Sequence, residues 1–264
     1  MGWKRAVCVQ DDDWTAVEVL RGTGQGPFVL VCEHAARHIP ADLNDLGLHE
    51  PALSAHIAWD IGALDVAREM SVLLDAPLVA GRISRLVYDC NRPPTAPDCI
   101  PLRSEVFDIP GNTALDDQTR LLRHDSVHLP FHTMLGRVIE TQMERCDTAP
   151  MLVTVHSFTS VYNGAPRAVE IGFLCHSDMK LAEAALAVEQ QTGRHNAGLN
   201  EPYGPQDGVT HTLATQGEAC GLPSVMLEVR NDLIDTPGSA KKMAQHLSSV
   251  LTQASERLSA RAAG

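Results

Sequence analysis

Four side chains in this sequence have the chemistry of a hydrolytic metal centre: His34, Asp60, His156 and Glu228. Zinc in a hydrolase takes about three nitrogen or oxygen ligands and keeps a further position for water. Two imidazoles and one carboxylate meet that need. A second carboxylate, off the metal, can accept a proton as water attacks. On this reading His34 and His156 are the imidazoles, Asp60 the third ligand and Glu228 the base. Two residues compete with Asp60. Glu33 adjoins His34, but neighbours on an extended strand face opposite ways. His56 stands four residues before Asp60, one helical turn away. Asp60 also has a plainer role open to it, as the N-cap of the helix that follows. Glu228 comes after Val225-Met226-Leu227, where a buried carboxylate is costly without a partner.

Arginine is the second theme. Ser84-Arg85 and Asn91-Arg92 flank Tyr88-Asp89, and Arg167 precedes an apolar run. Guanidinium forks grip carboxylates in a bidentate way, so Arg85, Asn91, Arg92 and Arg167 suit a small carboxylate-bearing substrate. The alternative for Arg85 or Arg92 is a structural ion pair with Asp89. The short motifs His-Glu-x-x-His, Gly-x-Ser-x-Gly, Gly-x-Gly-x-x-Gly and the P-loop are absent.

The elements that must position these residues are legible as alternating strands and helices. Phe28-Val29-Leu30-Val31-Cys32 is an apolar run between Pro27 and a polar turn, and it delivers His34 from its carboxyl end. Met151-Leu152-Val153-Thr154-Val155 does the same for His156. In open α/β sheets ligands bind just beyond the carboxyl ends of strands. One strand-terminal histidine is ordinarily structural; two in one chain point toward metal.

Between them, residues 59–74 carry apolar side chains at helical spacing, and Pro77–Ala80 reads as a strand. Residues 93–113 hold five prolines and Gly111-Asn112, which is loop chemistry. Residues 114–146 predict a long helix that Pro130 kinks or restarts. Strand candidates follow at 167–175 and 223–230, with helices over 179–193, 210–220 and about 239–261. Residues 1–26 read as a lead-in. Alternation of this kind predicts α/β architecture, with a mainly parallel sheet flanked by helices and one domain over 1–264.

A net charge of −12, from 21 basic and 33 acidic residues, argues against a nucleic-acid footprint. Seven cysteines without a Cys-x-x-Cys pair argue against a zinc ribbon and fit small buried hydrophobes in a reducing compartment. The opening residues lack the apolar core of a secretion signal, and no run reaches membrane-spanning length, so the expected setting is cytoplasmic.

Taken in order, several stretches resemble the N-formylglutamate amidohydrolase family, whose fold is similar to zinc carboxypeptidases and to the succinylglutamate desuccinylase and aspartoacylase enzymes. They are Cys32-Glu33-His34-Ala35 through Ile39-Pro40, Trp59-Asp60, Ser84 through Arg92, His128-Leu129-Pro130-Phe131-His132, Val155-His156-Ser157-Phe158 and Leu227-Glu228-Val229-Arg230. Together they run over about residues 28–235. The resemblance implies one zinc per chain, held by His34, His156 and Asp60. It places Glu228 as the catalytic carboxylate, and the Ser-Arg and Asn-Arg pairs where a substrate carboxylate is held. It implies hydrolysis of an N-acyl amide such as that of N-formylglutamate. The chain departs from the family pattern at the first histidine, where Glu33-His34-Ala35-Ala36 replaces Pro-His-Ser-Gly. Arg37 stands where the carboxypeptidases' His-x-x-Glu would need an acid. Two other readings fit the same residues: a metal-dependent peptidase of the carboxypeptidase type, and a non-catalytic carboxylate-binding protein.

Overall fold

The uniformly apolar segments become the centre of a sheet because both of their faces can be buried. A computed structural model describes residues 15–146 and 148–262. The start of the expected lead-in, with Cys8 and the Asp11-Asp12-Asp13 run, lies outside the described residues. In chain order the strands are β1 (Val17–Leu20), β2 (Phe28–Cys32), β3 (Leu78–Gly81), the hairpin β4 (Arg103–Ser104) and β5 (Phe107–Asp108), and β6 (Met151–Phe158). A second hairpin, β7 (Val161–Tyr162) and β8 (Ala165–Pro166), precedes β9 (Ile171–Leu174), β10 (Ala197–Leu199) and β11 (Ser224–Arg230). Seven of them form one sheet in the order β1-β3-β2-β6-β11-β9-β10. Pairing is parallel for β2 with β3, β2 with β6, β6 with β11 and β9 with β10. It is antiparallel for β1 with β3 and for β9 with β11. The sheet is therefore mixed but mainly parallel, as the alternation predicts.

Alternation along each strand sorts the core into two layers. Phe28, Leu30, Val153, Val155, Val225 and Leu227 face helices α1 (Ala63–Leu73), α4 (Lys180–Thr192) and α5 (Pro237–Ala262). Val29, Val31 and Leu152 face the other way, onto α3 (Leu129–Arg145) and the long connections around residues 39–109. His156 and Glu228 are even-numbered residues of β6 and β11 and point into this second layer, in register with each other.

Several expectations are refined. Val17–Leu20 is an antiparallel edge strand rather than lead-in; at four half-buried residues it is too short to show a period. Helix α1 starts at Ala63, after Gly62 with φ 80°, and its N-terminus has no side-chain cap. A Cβ at Gly62 would strike the Ile234 carbonyl, which excludes the better capping residues there. Asp60 is thus outside the helix, and its carboxylate is not spent as a cap. The stretch 114–146 is α2 (Asp117–Arg123), a π-helical turn at His124–His128, and α3, with Pro130 in the first turn of α3 directly after the π-type turn. The 210–220 helix is a short helical segment with π-type and 3₁₀ turns, ended by Gly221 at φ 69°.

The proline-rich connection 93–113 is fastened by one buried cation. Arg123 donates to Asn112 Oδ1 at 2.6 Å, to the Val87 carbonyl at 3.3 Å and to the Gly111 carbonyl at 3.2 Å. Asn112 passes the hold on, donating to the carbonyls of Leu86 at 2.9 Å and Pro101 at 2.7 Å. Burial pushes the Arg123 guanidinium down to about 10. Among the described cysteines, Cys32, Cys90, Cys99 and Cys175 are buried and free, as expected, whereas Cys146 is half-buried and Cys220 is exposed. No helix among the described residues is long and apolar enough to cross a membrane.

Candidate active site

Strand order decides which chain ends meet. β2, β6 and β11 lie side by side, so the residues at their carboxyl ends share one crevice. β2 ends at Cys32, and Glu33 and His34 form a turn. Gly81 on the neighbouring β3 permits that turn, since a Cβ there would collide with the Glu33 carbonyl. The Asp60 amide then donates to the His34 carbonyl at 2.9 Å, which brings the Asp60 side chain to the two histidines.

His34 Nδ1 lies 3.3 Å and His156 Nδ1 2.9 Å from the same oxygen, Asp60 Oδ2. The two rings stand edge to face with centroids 4.9 Å apart. All three residues are buried, and one ligand atom from each falls within 4.8 Å of the others. The far nitrogens are also engaged. His34 Nε2 is 2.7 Å from Asp89 Oδ1, and His156 Nε2 is 3.0 Å from Glu33 Oε2. The first contact is a hydrogen bond; the second is an ion-pair contact off the hydrogen-bonding direction, which leaves both Glu33 oxygens without a hydrogen bond. A carboxylate behind each imidazole is how metal-ligating histidines are ordinarily oriented and made more basic. Glu33 does not face away from the site, because the strand ends before it. His56 stands to one side, with Nδ1 3.9 Å from Asp60 Oδ1, and burial pushes its imidazole down to about 4.

Electrostatics follow from packing three carboxylates around two imidazoles. Burial alone would raise Asp60, Asp89 and Glu33, but the adjoining imidazoles hold all three carboxyls below their usual range, joined at Asp89 by the Arg85 guanidinium. Burial opposes the protonated form of both histidines. The carboxylates outweigh it, holding His34 above its ordinary value through Asp89 and Asp60, and His156 well above through Glu33 and Asp60. Glu228 differs. It is 5 % exposed, its Oε2 has no hydrogen-bond partner, and burial pushes its carboxyl up to about 7, against the pull of His156 and with the push of Asp60.

The cluster opens into a cavity of about 640 Å³ that Glu228, His56, Arg85, Asn91, Arg92 and Arg167 also line. That is the size of an ordinary small-molecule pocket. Its cations are not equally available. Arg85 spans Asp60 Oδ1 at 3.3 Å and Asp89 Oδ2 at 2.9 Å, so the structural ion pair with Asp89 is real. Arg92 meets Asp98 at 3.3 Å and donates to the Asp207 carbonyl. Asn91 spends its amide on the Val209 carbonyl, at 2.5 Å, and on the Thr212 N–H, at 3.1 Å, and so holds the cavity wall. Arg167 donates to Tyr203 Oη at 2.7 Å and to the Thr159 carbonyl at 3.3 Å, with Tyr162, Tyr203 and Phe158 rings around its guanidinium. Unlike Arg85 and Arg92, it makes no ion pair with a carboxylate among the described residues.

The sequence reading missed two contributors. Asp89 appeared only as a partner for arginines, because nothing in its spacing reveals a contact with a histidine 55 residues earlier. Tyr203 sits in a turn-rich loop with no periodicity to mark it.

Buried imidazoles and carboxylates at strand ends, open to a pocket of this size, are an arrangement able to carry hydrolytic chemistry. The model of the N-formylglutamate amidohydrolase family matches residues 26–235, and the chain belongs to that family. It is 44% identical to the gene product Atu2144 from Agrobacterium tumefaciens, whose crystal structure superposes with a TM-score of 0.90 over 93% of this chain and 96% of that one. The crystal structure of N-formylglutamate amidohydrolase from Ralstonia eutropha JMP134 shares the fold at 16% identity, with a TM-score of 0.56 over 92% of this chain and 97% of that one. No curated protein matches the sequence.

Proposed function

We propose that this chain is a zinc-dependent amidohydrolase that removes the N-acyl group, N-formyl among the candidates, from a small carboxylate-bearing substrate such as N-formylglutamate. The observation that carries the reading is the convergence of His34 Nδ1 and His156 Nδ1 on one oxygen of buried Asp60, with a carboxylate behind each ring. Two nitrogens and an oxygen suit zinc, and a doubly charged cation would offset the buried negative charge that the imidazole protons otherwise balance. When bound, zinc supplies Lewis acidity, lowering the pKa of water and polarising an acyl carbonyl.

The remaining work falls to the chain's own groups. Asp89 fixes the ring orientation of His34 through a hydrogen bond, and Glu33 lies against His156 Nε2 as its charge partner. Glu228, beside His156 in the sheet and facing the cavity, takes a proton from the attacking water at Oε2 and returns it to the leaving amine. A carboxyl held near 7 is suited to both transfers at neutral pH. Arg167 anchors the substrate carboxylate, and Arg85 supports Asp60 and Asp89 while lending positive potential to the cavity. The family match favours an N-acyl amino acid over the carboxypeptidase-type reading, since Arg167 alone suits a peptide's terminal carboxylate equally well.

Amine release from a panel of N-acyl amino acids and C-terminal peptides tests this directly. N-formyl and other N-acyl derivatives of glutamate or aspartate should be cleaved best. Arg167→Lys should lower kcat/KM for them by roughly 10–100-fold, chiefly through KM, since a point charge cannot reproduce the fork. Preference for uncharged peptides, or unchanged kinetics in Arg167→Lys, would overturn the assignment.

Zinc binding should also release protons. Both site imidazoles hold their protons above the ordinary range in the metal-free chain, and a ligand must be neutral to bind. Lowering the pH favours the protonated rings, so zinc affinity should fall as pH falls through the raised imidazole range. Titration calorimetry in two buffers of different ionisation enthalpy measures this. Zinc binding without proton release near neutral pH would show that these rings are not the ligands.

A further inference from the structure

The stretch His128-Leu129-Pro130-Phe131-His132 takes no part in the site described above, yet it builds a second concentration of imidazoles. His128 closes the π-helical turn that joins α2 to α3, His132 lies one turn further along α3, and His211 opens the helical segment that runs to Cys220. Their ring centroids are 4.3 Å (128 to 132), 5.7 Å (128 to 211) and 5.4 Å (132 to 211) apart. One ring nitrogen from each falls within 4.8 Å of the other two.

Among the described residues, the hydrogen bonds of His132 with Gln216 and with the Cys90 carbonyl do not account for three imidazoles in one place. No carboxylate forms an ion pair with any of the three among the described residues, and the rings do not hydrogen-bond to one another. His128 is only 7 % exposed, and its Nε2 has no partner at all. Leaving such a group buried and unsatisfied is costly, so its place in the fold calls for a partner. Burial, reinforced by their mutual repulsion, pushes His128 down to about 3 and His211 to about 4, and burial lowers His132 as well. All three rings are therefore neutral at pH 7, and the lone pair of His132 Nδ1 meets only a long hydrogen bond, from Gln216 Nε2 at 3.4 Å, that an ion would displace. His132 Nε2 donates to the Cys90 carbonyl at 2.8 Å, the kind of backbone contact that fixes the tautomer of a metal-ligating imidazole. The Glu189, His195 and His246 group on the opposite layer is a useful contrast. There the carboxylate lies between two imidazoles, 3.0 Å from His195 Nδ1 and in contact with His246 Nε2, so the group is satisfied without an ion.

We infer that His128, His132 and His211 form a second metal site, separate from the first, that takes a divalent transition ion of the zinc type. Three imidazoles without a carboxylate select zinc, copper, nickel or cobalt over magnesium or calcium, which need oxygen ligands. His132 and His211 are half-buried, so the ion can enter from solvent. Its role follows from what it joins. It clamps the segment beginning at His211 to the start of α3, next to the loop whose Tyr203, Asp207 and Val209 line the cavity. The consecutive residues Asp89, Cys90 and Asn91 link the two places: Asp89 supports His34, the Cys90 carbonyl holds His132, and Asn91 pins Val209 and Thr212.

The test is zinc stoichiometry of the untagged full chain after gel filtration, with zinc chloride alone as the probe. The double variant His34→Ala/His156→Ala disables the first site and should still retain one equivalent. Adding His128→Gln and His211→Gln should remove it. If the fourfold variant fails to fold, His211→Gln in the double-variant background should fold, because the side chain is half-buried, and should weaken zinc binding more than about tenfold. A double variant that binds no zinc, or zinc binding unchanged by the His211 and His128 substitutions, overturns the second site. Since the readout excludes the first site, its result is independent of the zinc assignment at His34, Asp60 and His156.

Discussion

Replacing Glu228 by Gln should leave the fold and the zinc content intact and lower kcat by at least about a hundredfold, since a general base is worth roughly 10²–10⁴ in rate. Glutamine is nearly isosteric and keeps an acceptor and a donor, but it cannot take a proton from water. Glu228 also has little structural work to lose. Its Oε2 has no hydrogen-bond partner, and a buried carboxyl of this kind is a burden on the fold that only a function explains. Asp60→Asn should behave differently, losing metal affinity together with rate, because both imidazole Nδ1 atoms face its Oδ2. Zinc titration of the two variants beside their kcat separates base from ligand. If Glu228→Gln loses its metal while Asp60→Asn keeps metal and rate, the two roles are exchanged.

His34→Ala and His156→Ala should each cost more. Either substitution removes a proposed zinc ligand and leaves a carboxylate, Asp89 or Glu33, buried without its imidazole. Zinc at the first site should be lost. With it goes Lewis acidity worth several kcal/mol, so kcat/KM should fall by at least about a thousandfold. Elemental analysis and N-acyl amide hydrolysis on the same preparations check this. Retention of wild-type zinc affinity at this site with wild-type kcat/KM in either variant would exclude that histidine from the centre.

How much of this could be read from the sequence depended on how local each signal was. β2 and β6 were legible because short apolar runs rich in β-branched residues read as buried strands, and the histidines at their ends came with them. Glu228 was legible because a carboxylate inside an apolar run is costly. Glu33 was misjudged: strand alternation holds only while the chain stays extended, and it turns immediately after Cys32. Asp60 was ambiguous for a similar reason, since its role depended on whether α1 began at once or after Gly62. Asp89, Tyr203 and the pinning role of Asn91 rest on contacts between residues 36 to 121 positions apart, which no local pattern encodes. The arginines illustrate the same limit. Their types announced carboxylate chemistry, but only the packing shows that Arg85 and Arg92 already have carboxylate partners and that Arg167 has none among the described residues.

The most direct test of the central claim is the rate of amine release from N-formylglutamate by one preparation of the chain, as purified, after chelation and dialysis, and after zinc is restored. A zinc-dependent amidohydrolase should turn over in the first state, show nothing above background in the second, and recover in the third in proportion to zinc bound at the proposed His34, Asp60 and His156 site. Full activity in the metal-stripped protein, with no metal detectable by elemental analysis, would contradict that claim.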